Sequence, residues 1–181
     1  MNLSEIFVTK MCHDLAGNIG VLDNTTELLR MDSSFIDEGV SLLKQSTATL
    51  VARLRFYRAL LGVETAINAD LAIKYLDTLP MPITLTGQIK AREHLVFVLF
   101  ATEVLIRGGI VDINENGFVC TGKGFFLDAV KKKILTEGCL EEKPQYAVTL
   151  WLFDWMTKND LKAEIFQNEE TLSIRFLKAF K

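Results

Sequence analysis

Histidine, cysteine and proline are scarce in this chain: two, three and three among 181 residues. Cys12, Cys120 and Cys139 are odd in number and far apart, and no metal-ligand spacing links them to each other or to His94. That excludes a disulfide scaffold and a zinc module, and predicts three reduced thiols. Charge of one sign is also missing. The formal net charge is −3, which argues against a dedicated nucleic-acid binder. No apolar run is long enough to span a bilayer, since the longest, around Leu95 to Ile106, contains Thr102 and Glu103. The opening Asn2-Leu3-Ser4-Glu5 has no basic region and no cleavage site follows, so no signal peptide is read there. Internal repeats and low-complexity tracts are absent. The expectation is a cytoplasmic protein that contacts neither membrane nor nucleic acid.

What the chain has is apolar residues, 49% of the total, enough for one sizeable core or two small ones. From Ser4 to Arg30, Phe7, Met11, Leu15, Ile19, Leu22 and Leu29 recur at helical spacing, with Ser4 as the N-cap. At about 100° per residue, His13 points roughly 160–200° from this stripe, onto the open face of the helix. Its neighbours there, Thr9, Ala16, Gly17 and Gly20, are all small. Each glycine inside a helix costs roughly 1 kcal/mol relative to alanine. Two so near the imidazole imply either the close approach of another molecule or the close packing of a second helix. Cys12 beside His13 is not a catalytic dyad, because helical neighbours point about 100° apart. Cys12 reads as a small, half-buried filler.

Ser33 or Ser34 caps a second helix that runs to about Gly62, the residue just past its end, with Asp37 and Glu38 in its first turn. Its stripe is Ile36, Val40, Leu43, Leu50, Leu54, Tyr57 and Leu61. Two amphipathic helices joined by a short loop form a hairpin that cannot bury both stripes. It either pairs with a second copy as a four-helix bundle, the favoured reading, or packs on the rest of its own chain. A short helix follows at Asp70–Leu76, ended by Pro80 and Pro82. Ile83–Thr86 alternates as a strand, and Ala91–Arg107 is a strongly apolar helix. Ile110–Ile113 and Phe118–Thr121 flank Asn116-Gly117, a strong hairpin signal. Helices at Phe126–Thr136 and Pro144–Lys158 precede strands at Leu161–Phe166 and Leu172–Phe176. The triple Lys131-Lys132-Lys133 reads as a solvated face. The fold class is α+β, with a helical hairpin over 1–68 and, over 69–181, helices on one face of a mixed or antiparallel sheet.

Three local patterns carry a family resemblance. They are Met11-Cys-His-Asp-Leu15 with Gly20 and Glu27-Leu-Leu29; Leu54-Arg-Phe-Tyr-Arg58 with Leu61-Gly62; and Glu103-Val-Leu-Ile-Arg-Gly-Gly109 before a strand. In this layout the chain resembles the catalytic core of bacterial sensor histidine kinases, and more closely the ChpT-like histidine phosphotransferases. The resemblance covers nearly the whole chain. It implies a homodimer with a four-helix bundle, and a C-terminal sandwich similar to the kinase ATPase domain that binds no ATP and helps to dock receivers. It implies that His13 is the phosphoacceptor and Asp14 the adjacent acid. Phosphate would pass from the receiver domain of a hybrid sensor kinase to response regulators, the receiver carrying the magnesium.

The residues argue separately against ATP binding. The helix Val98–Ile106 carries none of the asparagines that hold magnesium and phosphates in an active kinase, the Asp-x-Gly-x-Gly adenine loop is missing, and Gly122-Lys-Gly124 is at best a remnant. No resident cofactor or metal is expected. Gly17 stands four after the histidine, where some kinases use a polar residue for phosphatase action. Asp14 either orients the imidazole or is a solvated carboxylate. Arg53, Arg55 and Arg58 face a receiver, pair with acids or are solvated, and are not chosen as site residues. Phe56 and Tyr57 read as packing residues, and His94 as an incidental structural one. The rival readings are a non-catalytic dimeric adaptor that binds receivers, and an atypical ATP-dependent histidine kinase. A hydrolase built on Cys12 and His13 would need an oxyanion-stabilising loop that is not there.

Overall fold

A computed structural model describes residues 3–31, 33–63, 67–138, 141 and 143–179. Two long helices lead, α1 (Leu3–Met31) and α2 (Ile36–Leu60). They are followed by α3 (Ala69–Leu76), β1 (Ile83–Gly87), α4 (Arg92–Val104), β2 (Gly109–Asn114) and β3 (Gly117–Thr121). The chain continues through α5 (Ala129–Glu137), α6 (Ala147–Lys158), β4 (Leu161–Gln167) and β5 (Thr171–Lys178). The described fold is α+β, with six helices and a five-stranded mixed sheet.

The helical periods predict these elements well, and their ends less well. Helix α1 is already helical at Leu3, one residue ahead of the expected cap Ser4. Helix α2 is entered through a 3-10 turn over Ser33–Phe35, so its cap position falls on Phe35 and not on a serine. Its end is as read: Gly62 lies just past it at φ +81°, the left-handed region that glycine enters without a Cβ clash. Asn68 caps α3, accepting from the Leu71 N–H at 3.0 Å, and Asp128 caps α5 in the same way through Lys131 N–H at 2.7 Å. Helix α4 stops at Val104, three residues short of Arg107, as Leu105 turns out of helical geometry at ψ +63°.

The sheet order is β1-β2-β3-β5-β4. Strands β1 and β2 are parallel, joined through α4, and the other pairs are antiparallel. Val111, Ile113, Phe118, Cys120, Leu172, Ile174 and Phe176 are buried on the sheet's inner face, beneath α4 and α6. Helix α4 is its centre: every residue from His94 to Ala101 is buried. That explains a run too apolar to show a clear stripe. Phe97 stacks on Phe118 and Phe176, with ring centroids 5.3 and 5.0 Å apart.

Only the base of the helical hairpin joins this core. Ile6, Phe7, Phe56, Tyr57, Ala59 and Leu60 are buried, and Phe7 meets Trp151 of α6 edge-on at 4.3 Å between centroids. Beyond that base, apolar residues emerge. Ile19 is 54% exposed, Ile36 50%, Val40 40% and Leu54 44%, so a single chain leaves about half of the α2 stripe bare, whereas on the α1 stripe Ile19 alone is exposed. Near the loop the two helices are drawn together by Gly39. A Cβ on it would lie 2.5 Å from Leu29 Cδ2.

Candidate functional site

Helix α1 carries His13 on its outer face. The imidazole side chain is 90% exposed, as the helical period predicts. Thr9, Ala16, Gly17 and Gly20 are exposed around it. A Cβ placed on Gly17 or Gly20 would meet nothing within 4 Å. Within the chain, therefore, these glycines do not serve helix packing, and the surface beside the imidazole is smooth and open. Cys12 is exposed as well, against the expectation of a half-buried filler, because it shares the outer flank of α1 with His13.

Asp14 lies one step round the helix and turns inward, its side chain 25% exposed. Its Oδ2 accepts a hydrogen bond from the Tyr57 hydroxyl of α2 at 2.8 Å and pairs with Lys10 Nζ at 3.3 Å. Its Oδ1 is 3.7 Å from Nδ1 of His13. The carboxylate is thus fixed on one side and faces the imidazole on the other. Arg53 of α2 donates through Nη1 to the Asp14 backbone carbonyl at 3.3 Å and through Nη2 to the Thr78 carbonyl at 3.2 Å, bridging the hairpin to the segment after α3. An intrahelical carbonyl that accepts this extra bond, and another from Asn18 Nδ2 at 3.3 Å, locks the turn that carries His13.

Behind Asp14 the charges continue inward. Lys10 Nζ is 3.5 Å from Oε1 of Glu103 on α4, whose Oε2 accepts from Lys131 Nζ of α5 at 3.0 Å. Lys131 is buried with its ammonium near the rings of Phe100 and Phe126, which corrects the solvated-face reading for that lysine, while Lys132 and Lys133 are exposed as read. The apolar stem of a lysine and the two rings explain how it is accommodated. Burial works against the Lys10 charge, but Glu103 and Asp14 outweigh it and raise its pKa above the usual lysine value. Burial, with Tyr75 and Asp14 adding to it, pushes the Tyr57 hydroxyl well up, so it remains a donor.

Sequence reasoning set His13 and Asp14 side by side, and the geometry brings Asp14 towards the imidazole. It missed Lys10, Tyr57 and Glu103 and passed over Arg53. Two signals were legible: Lys10 stands four residues before Asp14, and Glu103 is an acid inside an apolar helix. The Tyr57–Asp14 bond joins residues 43 apart, beyond any local pattern. His94 is structural as expected: it is buried, and its Nδ1 lies 3.2 Å from the Lys90 backbone N–H. Cys120 is buried, which raises its thiol pKa to about 12, and Cys139 falls outside the described residues. Among the described residues no three histidine, cysteine, aspartate or glutamate side chains cluster to hold a metal, and no helix is long and apolar enough to cross a membrane.

No family model matches the chain. Among curated proteins, the protein phosphotransferase ChpT of Brucella abortus (strain 2308) is 25% identical over 165 residues, covering 80% of this chain and 78% of that protein. The chain is ChpT-like. A solved structure of a bacterial phosphotransferase shares the fold of this ChpT-like chain, with a TM-score of 0.76 at 19% identity over 97% of this chain and 95% of that one.

Proposed function

We propose that this ChpT-like chain is a histidine phosphotransferase, an intermediate in a two-component phosphorelay. His13 takes a phosphoryl group from an aspartyl phosphate on one receiver domain and passes it to an aspartate on another. The observation that carries this reading is the exposed imidazole on a face cleared by Gly17 and Gly20, with the Asp14 carboxylate fixed 3.7 Å away. The curated relative, itself a protein phosphotransferase, supports it.

Phosphoryl transfer is mainly a matter of positioning and charge neutralisation. In this reading the receiver brings its own aspartate and magnesium. The chain supplies an accessible imidazole nitrogen as nucleophile. With Nδ1 turned to Asp14, the free nitrogen is Nε2. It attacks phosphorus in line with the bond to the receiver carboxylate; the N–P bond forms as the acyl P–O bond breaks, and the electron pair leaves with the carboxylate. Asp14 stabilises the positive charge that builds on the ring. The return transfer reverses these events.

The rest of the chain fits two roles. Residues 1–68 form the dimerisation and phosphotransfer unit, and the exposed apolar residues of the hairpin, among them Ile19, Leu28, Ile36 and Val40, are the surface on which a second copy completes a four-helix bundle. Residues 69–181 form a degenerate ATPase-like sandwich that helps to dock receivers in place of binding nucleotide. The test is a relay. A phosphorylated receiver from a hybrid kinase is mixed with this protein and a second receiver, and phosphate is followed on all three. Passage to the second receiver only when this protein is present supports the reading. Binding of both receivers with no phosphate on this protein refutes it in favour of an adaptor.

A further inference from the structure

The two oxygens of Asp14 have different partners. Oδ2 is taken up from below by Tyr57 at 2.8 Å and Lys10 at 3.3 Å, whereas Oδ1 looks outward to His13 at 3.7 Å. A terminal carboxylate torsion is broad and roughly two-fold, so an unsupported aspartate on a helix surface sweeps through many orientations. Two donors on one oxygen, one of them a cation, set the plane of the group and so the direction of the other oxygen. Tyr57 is suited to the task because its ring is immobile, packed against Phe7, Phe56 and Tyr75. Lys10, a flexible side chain, is steadied by Glu103, which is steadied in turn by Lys131. Side-chain exposure falls along this line from 90% at His13 to 25% at Asp14, 13% at Glu103 and 6% at Lys131. The charges alternate in sign from Asp14 inward, so each is paired where solvation is weakest.

We propose that Tyr57 and Lys10 are positioning residues for phosphoryl transfer at His13, with Glu103 of α4 anchoring Lys10. They act through Asp14: with Oδ1 held towards Nδ1, the ring keeps its proton on Nδ1 and presents the Nε2 lone pair outward. When Nε2 bonds to phosphorus and the acyl P–O bond breaks, the ring becomes positively charged. The Nδ1 proton is then drawn to Oδ1 and passes to water, and the leaving carboxylate keeps the electron pair. The anchor lies in the α/β layer, so that layer sets the geometry of the phosphoacceptor from behind. The inference rests on the phosphoacceptor reading above.

The test uses Tyr57→Phe, which keeps the packed ring and removes the hydroxyl, and Glu103→Gln, each made with Asp14 present and with Asp14→Asn. Single-turnover transfer from a phosphorylated receiver is measured over a range of receiver concentrations. Tyr57→Phe slows the saturated transfer step about tenfold, the worth of one hydrogen bond to a charged group. The half-saturating receiver concentration does not change. In the Asp14→Asn background the same substitution changes the rate by less than about twofold, because its route of action is gone. Glu103→Gln gives the same pattern at about threefold. It carries the test alone if circular dichroism shows Tyr57→Phe to be unfolded. A wild-type rate in the folded single variants, or an equal slowing in both backgrounds, overturns the proposal and leaves His13 as acceptor. No phosphate on the wild type, or as much on His13→Ala, refutes the phosphoacceptor reading itself and this proposal with it.

Discussion

Replacing Gly17 separates the two explanations for a glycine beside the imidazole, because they predict opposite signs for stability. Gly17 has helical backbone, and a Cβ there meets nothing within 4 Å. Gly17→Ala therefore brings the helix-propensity gain without a clash, about 1 kcal/mol. For a chain of this size that raises Tm by about 2–4 °C. Gly17→Ala/Gly20→Ala doubles the gain, to about 2 kcal/mol, since both sites are open. Gly17→Leu folds nearly as well as the alanine variant, but it places an isobutyl group one turn, about 5.4 Å, from His13. Forcing such a group into a fitted interface costs about 1–3 kcal/mol, so the half-saturating receiver concentration rises about tenfold or more. Labelling by phosphoramidate, a donor too small to feel the obstacle, stays within about twofold of wild type. Thermal unfolding by circular dichroism reads the first effect, and transfer kinetics read the second. A fall in Tm for Gly17→Ala would show that another helix packs there. An unchanged receiver dependence for Gly17→Leu would place the docking surface elsewhere.

Three further predictions follow from burial and charge. The elevated pKa of Tyr57 and Lys10 makes their contribution to stability complete below the ordinary values of 10.0 and 10.5 and lost as pH rises through the folded ones. Urea unfolding should thus show stability falling above pH 10.0, with a shallower fall for Tyr57→Phe, and a flat profile would contradict the buried pairing. Cys12 should react with iodoacetamide in the native protein while Cys120 does not, as peptide mass spectrometry would read; equal labelling of both would refute the burial of Cys120. Leu28→Asp and Ile36→Asp, at positions 57% and 50% exposed, should leave the chain folded and convert a sedimenting dimer into a monomer. A wild-type chain that sediments as a monomer would remove the bundle from the account.

Much of the fold is legible in the order of residues, because helix and strand periods are local. Leu172, Ile174 and Phe176 alternate as written, and a hairpin joins β2 to β3 as read, although its two turn residues are Glu115 and Asn116 and Gly117 already opens β3 opposite Asn114. Helix ends are less so: Ser33 and Ser34 have cap chemistry, yet the chain spends them in a 3-10 turn that moves the cap to Phe35. Sheet order is illegible for a different reason, since nothing in the composition of β5 says that it lies between β3 and β4. At the candidate site, His13 and its exposure come from helical phase alone. The partners of Asp14 come from α2 and, through Lys10, from α4, and only tertiary packing sets them beside it. The burial of Lys131 is invisible for the same reason: a triple of lysines is nearly always solvated, and here Glu103 waits 3.0 Å away.

The central claim is that phosphate resides on His13. It is tested most directly by incubating the protein with a phosphorylated receiver and finding the modified residue by mass spectrometry under neutral conditions, in wild type and in His13→Ala. The account predicts an acid-labile phosphohistidine at position 13 that disappears in the variant. Phosphate at any other residue, or label of equal yield on His13→Ala, would contradict it.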